Sequence, residues 1–97
     1  MTAELAQAQL LVLQAARHED AGTLSGAQAS LAKFTATRTA RSIAQNARDL
    51  LGGNGILLQH LVARHFADIE ALHTYEGTES MQALIIGRHL TGLSAFA

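Results

Sequence analysis

Tyr75-Glu76-Gly77-Thr78 sets one carboxylate beside a glycine and directly ahead of an amphipathic stretch from Glu79 to Leu93. Thr78 is a good N-cap for a helix over that stretch. The first N–H groups of a helix have no partner within it and point outward. A carboxylate held beside them can remove a proton made acidic by a nearby carbonyl. Gly77 lets another molecule approach the backbone closely. The same four residues also suit a plain helix–helix turn.

A second motif lies upstream, at Gly52-Gly53-Asn54-Gly55. Three glycines in four residues demand an unusual backbone. One reading is a helix C-cap and tight turn; the other is close backbone approach to a phosphate or an adenine. No Gly-Lys-Ser/Thr follows, so it is not a P-loop, and it follows a helical pattern rather than a strand, so it is not a Rossmann fingerprint.

The elements that must position these motifs are helices. Thr2 can cap a first helix, with Glu4 in its first turn and an apolar stripe of Leu5, Ala8, Val12, Ala15 and Ala16 widened by Leu11. That helix should stop near Gly22. Ser25 and Gln28 have capping-box spacing for a second helix. Its apolar positions are Leu31, Phe34, Ile43, Ala47, Leu50 and Leu51. Its polar middle, Thr35 to Arg41, is either a solvated face or a meeting surface for another domain. A third helix is expected from about Gln59 to His73, with Leu61, Val62, Phe66, Ile69 and Leu72 inward. The fourth carries Met81, Leu84, Ile85 and Leu93 on one side. Arg64 and Asp68, at i and i+4, should form an exposed pair contributing about 0.2–0.5 kcal/mol.

Composition removes whole classes of function. The 97 residues suffice for one small domain with a modest core. No proline is present, and the only aromatics are Phe34, Phe66, Tyr75 and Phe96, which suits packed helices rather than a β-sandwich. A net charge of −1 offers nothing to a nucleic acid or an anionic membrane. Without cysteine there is no disulfide, thiolate nucleophile or Cys-based metal site. The five histidines, at 18, 60, 65, 73 and 89, form no ligand pair, so no metal is expected. Ser25 and Ser42 have no His–acid partners nearby. No apolar run approaches the roughly 20 residues of a membrane span, and Glu4 is out of place in a secretory signal. The default is a soluble intracellular protein.

The order of motifs carries more. It runs Ala47-Arg48-Asp49-Leu50-Leu51-Gly52-Gly53-Asn54-Gly55-Ile56, Val62-Ala63-Arg64-His65, Asp68-Ile69-Glu70-Ala71, Thr74-Tyr75-Glu76-Gly77-Thr78, Ala83-Leu84-Ile85-Ile86-Gly87-Arg88, Thr91-Gly92 and Phe96. This series resembles the C-terminal helical domain of the acyl-CoA dehydrogenases. Within that family it is most similar to the glutaryl-CoA dehydrogenases, through Ala-Arg-Asp before the glycines and Leu-Ile-Ile-Gly-Arg near the end. The likeness is strong from about Ala44 to Phe96 and looser from Thr2 to Ile43.

The resemblance implies an all-α antiparallel bundle over residues 1–97, truncated at its N-terminal side. It implies an FAD-dependent α,β-dehydrogenation of an acyl-CoA, with decarboxylation if the substrate is glutaryl-CoA. Glu76 matches the family's catalytic base. The substrate's thioester carbonyl would accept from the Glu76 N–H and from a flavin hydroxyl, and burial beside substrate and flavin would raise the Glu76 pKa. Tyr75 and Gly77 match substrate-cavity positions, and Thr78 and Ser80 match positions near the flavin. Gly52 and Gly53 match a segment touching the FAD of a neighbouring subunit, as does Asp49, where many members carry Gln. The implied partners are an acyl-CoA, further copies in a tetramer, and electron-transfer flavoprotein as acceptor. The implied location is bacterial cytoplasm, or the mitochondrial matrix in a eukaryote. Family chains are nearly four times longer, so a fragment, a truncated gene product or a remnant is expected. It would lack the N-terminal helical and middle β-domains and an Arg-x-Gln-Phe-Gly segment just before Met1. The alternative is a non-catalytic, self-associating helical module that no longer binds flavin.

Overall fold

The computed structural model describes residues 1–96, which form four α-helices, two 3₁₀ turns and no strand. The helices are α1 (Thr2–Asp20), α2 (Gly26–Leu50), α3 (Val62–Thr74) and α4 (Glu79–Thr91), with 3₁₀ turns at Gly52–Ile56 and Leu58–His60. The all-α expectation holds.

Local signals explain most boundaries. Ser25 Oγ accepts from the Gln28 N–H at 3.1 Å while Gln28 Oε1 accepts from the Ser25 N–H at 2.8 Å, so the capping box opens α2 as its spacing predicts. Thr78 Oγ1 accepts from the Met81 N–H and opens α4. Gly92 closes α4 in the left-handed conformation, one residue before the expected Leu93.

Three expectations are corrected. Met1, not Thr2, is the cap position of α1, and it offers no side-chain hydrogen bond. Helix α3 starts at Val62 rather than Gln59, because Gln59 and His60 are taken up by a 3₁₀ turn and Leu61 breaks the chain direction at φ 48°. Arg64 and Asp68 form no ion pair among the described residues; the cross-helix pair of that region is Arg41–Glu70. Arg64 and Asp68 are exposed, where holding two long side chains together gains little.

Helix α2 is the hub. Helices α1, α3 and α4 each pack on it and make little contact with one another. The described residues form a slab of 47 × 32 × 19 Å. Three helices that each pack mainly on α2 leave most of their own surfaces uncovered. Ala8 is accordingly the one buried hydrophobic residue among the described residues, while Leu5, Val12, Leu61, Phe66 and Leu72 of the expected stripes stay exposed. Between α1 and α3 runs an apolar groove of about 390 Å³, floored by Ala40, Ile43, Ala44 and Ala47 of α2.

Candidate active site at the turn between α3 and α4

Helix α3 ends at Thr74, and Tyr75 turns the chain to an extended conformation. Glu76 follows at φ 53° and Gly77 at φ 92°, both left-handed; Thr78 returns to extended backbone and caps α4. For glycine this geometry is free, but for Glu76 it costs on the order of 1–2 kcal/mol. Neighbouring groups must offset that cost.

Two side chains from different helices do so. The Lys33 ammonium on α2 donates to the carbonyls of Tyr75 and Gly77, and lies 5.6 Å from the centroid of the Tyr75 ring. The Gln82 amide on α4, only 7% exposed, donates to the carbonyls of Glu76 at 3.1 Å and Gly77 at 3.2 Å. Three successive carbonyls are thereby turned toward the helices.

The peptide bonds are trans, so each N–H points opposite to the carbonyl of the same peptide unit. The N–H groups of Glu76, Gly77 and Thr78 therefore face away from Lys33 and Gln82. None of the three donates to an acceptor among the described residues. The turn presents an exposed carboxylate and a short row of donors without partners among the described residues, an arrangement chemically able to take up a proton and to hold an anionic oxygen.

The second carboxylate of the region is engaged elsewhere. Glu79, 22% exposed, lies 3.8 Å from Arg38 Nε of α2 and 3.4 Å from His73 Nδ1 of α3. The His73 contact is electrostatic when the ring is protonated, since its two facing atoms are misaligned for a hydrogen bond. His73 Nε2 lies 3.4 Å from Arg41, which is bound through two nitrogens to Glu70 at 2.7 and 3.3 Å. This chain of charges ties α2, α3 and the start of α4 together just behind the turn. Glu76 takes part in none of the ion pairs among the described residues.

The remaining sequence-selected residues fall in two places. Tyr75, Thr78 and Ser80 are exposed around Glu76, with Gly77 half-buried. Asp49, Gly52 and Gly53 are exposed at the far end of α2, where Asp49 accepts from Arg48 at 3.4 Å. Helix α4 makes no substantial contact with the glycine turn, so one copy of the chain does not bring the two groups together. No cluster of three metal-ligating side chains exists among the described residues. The sequence reading missed Lys33 and Gln82. Their only signal is a polar residue placed among apolar neighbours, Ala32 and Phe34 for the one, Met81 and Ala83 for the other.

Comparison with known proteins gives the family and the fold. Residues 1–91 match the family model described as acyl-CoA dehydrogenase, C-terminal domain. The chain is 33% identical over 90 residues to a 3-(aryl)acrylate reductase of Clostridium sporogenes, covering 93% of this chain and 24% of that one. It is 34% identical over 90 residues to the human mitochondrial short-chain specific acyl-CoA dehydrogenase, with 93% and 22% covered. The crystal structure of glutaryl-CoA dehydrogenase from Mycobacterium smegmatis superposes with a TM-score of 0.95 at 45% identity, over 100% of this chain and 25% of that one. A glutaryl-CoA dehydrogenase structure from the same organism in complex with FADH2 gives 0.95 at 43% identity, with the same coverage. The chain thus spans about a quarter of the length of these proteins. The chain belongs to the acyl-CoA dehydrogenase family, and residues 1–91 match that family's C-terminal domain.

Proposed function

We propose that this domain supplies the catalytic base of an FAD-dependent acyl-CoA dehydrogenase, with glutaryl-CoA as the preferred class of substrate. The observation that carries the reading is that Glu76 presents an exposed carboxylate and, from the same left-handed residue, an outward N–H without a partner among the described residues. The Glu76 carboxylate takes the α-proton of the acyl thioester and becomes a carboxylic acid. The Glu76 N–H donates to the thioester carbonyl and stabilises the negative charge that develops there. The electron pair of the broken Cα–H bond forms the Cα–Cβ double bond as hydride leaves Cβ. Tyr75 and Gly77 border the acyl chain.

The residues expected to meet FAD suit it. Thr78 and Ser80 lie exposed at the N-terminus of α4, whose free donors favour an anionic group. Gly53 has open space where a side chain would be, as a close-packed ring system requires. The chemistry that FAD supplies when bound is acceptance of the β-hydride. Preference for glutaryl-CoA rests on the two glutaryl-CoA dehydrogenase neighbours; in that case the γ-carboxylate leaves as carbon dioxide and the product is crotonyl-CoA. The Asp49–Gly53 end of α2 would then meet the FAD of a neighbouring copy in a tetramer, with electron-transfer flavoprotein as acceptor. The setting would be the bacterial cytoplasm or the mitochondrial matrix.

The test is Glu76→Gln in a holoenzyme that carries this domain. Flavin bleaching on adding acyl-CoA should slow by at least about 10²–10⁴-fold, the usual contribution of a positioned general base, with melting temperature and flavin content unchanged. Bleaching at the unaltered rate would sink the assignment, and a parallel loss in Glu79→Gln alone would move it to Glu79. A second reading, a non-catalytic self-associating module, is favoured by the many exposed apolar side chains. A genomic frame encoding the first two domains directly upstream would count against it.

A further inference from the structure

We infer that Lys33 and Gln82 are positioning residues that set the direction of the Glu76 N–H and carboxylate by holding the carbonyls of the 75–77 turn. The inference rests on the reading of Glu76 given above. The Lys33 ammonium bridges the carbonyls on either side of Glu76, those of Tyr75 and Gly77. The buried Gln82 amide takes the carbonyl of Glu76 itself and shares that of Gly77. All three peptide planes of the turn are thus fixed from one side.

This fixes function through planarity. The Tyr75 carbonyl and the Glu76 N–H belong to one rigid trans unit, so drawing the carbonyl toward Lys33 aims the N–H outward. Without that pull, Glu76 has an intrinsic preference to leave φ 53° for a negative φ, which would swing both the N–H and the side chain away. Lys33 has further weight because charge-assisted hydrogen bonds are about twice as strong as neutral ones. Gly77 completes the device: a Cβ there would sit 2.6 Å from Gln82 Nε2, so only glycine leaves room for that amide. Neither side chain needs to touch substrate. Each acts by holding the backbone that does.

The experiment compares Lys33→Met, Gln82→Leu and Glu76→Gln in a flavin-loaded holoenzyme containing this domain. It measures single-turnover flavin bleaching, KM for the acyl-CoA, flavin content, melting temperature and amide hydrogen exchange across residues 74–80. Lys33→Met should slow bleaching by on the order of 10²-fold, the typical penalty for misplacing a reacting group by about 1 Å. KM should change by less than about threefold, and exchange at the turn should accelerate while α1 stays protected. Lys33→Cys alkylated with bromoethylamine, which rebuilds an isosteric ammonium, should restore the rate. If Lys33→Met bleaches normally while Glu76→Gln is dead, the positioning role is overturned and the base assignment stands. If Glu76→Gln bleaches normally, both fall. A slow Lys33→Met whose whole domain loses protection, with a matching fall in melting temperature, overturns positioning in favour of a plain folding role.

Discussion

Gly55 is packed against the backbone of Arg48 so closely that a Cβ on it would lie 2.1 Å from the Arg48 carbonyl oxygen. Gly55 is the buried member of the glycine turn, while Gly52 and Gly53 are exposed with nothing within 4 Å of a Cβ. The turn folds back on the last turns of α2, and a backbone carbonyl cannot move aside as a side chain can. Gly55→Ala should therefore destabilise the domain by about 1–3 kcal/mol or more, the range for forced overpacking. Gly53→Ala should stay within about 0.5 kcal/mol, as surface changes usually do. Denaturant midpoints of the two variants check the contrast. Equal midpoints would show that the turn can shift to admit a side chain.

Gly77→Ala should fail in a different way. The residue sits at φ 92°, which an L side chain adopts only under strain, and the new methyl would meet the Gln82 amide. A cost of about 1–3 kcal/mol is expected. Hydrogen exchange should localise the damage to the α3–α4 turn rather than to α1 and α2. Global loss of protection would contradict the local account.

Ser25→Ala removes one half of the capping box and should cost about 1 kcal/mol of stability. Ser25 Oγ bonds only to the Gln28 N–H among the described residues and not to the 75–77 turn, so flavin bleaching in a holoenzyme should be unaffected. Thermal melting together with the bleaching rate tests this. A slower rate would mean that the start of α2 transmits strain to Lys33.

The separate 97-residue chain should self-associate. Leu50, Leu90 and Leu93 are each about three-quarters exposed, and no large side chain among the described residues is fully buried, a surface that water tolerates poorly. Sedimentation should show dimers or larger species at tens of micromolar, roughly the scale of moderate affinities. A stable monomer at that concentration would count against the idea.

The same separate chain should bind FAD weakly or not at all. Its two sets of expected flavin contacts, around Thr78 and around Gly53, lie on elements that do not meet within one copy. Fluorescence titration with FAD checks this. A yellow protein that retains flavin through gel filtration would overturn it.

Sequence alone determined what depends on near neighbours along the chain. The Ser25–Gln28 box and the Thr78 cap are satisfied within a few residues of themselves, so spacing was enough to place them. The order of short motifs was likewise enough to identify the family. Tertiary structure decided what depends on residues far apart in sequence. Lys33 is more than forty positions from the carbonyls it holds, and no periodicity rule couples such distant groups. The same holds for Gly55 rather than Gly52 or Gly53 as the crowded glycine, since crowding comes from a carbonyl brought back by the turn. The expected apolar stripes told which faces avoid water but not whether anything covers them. Only the assembled slab shows that α1, α3 and α4 share a single neighbour, α2, leaving most large apolar side chains open.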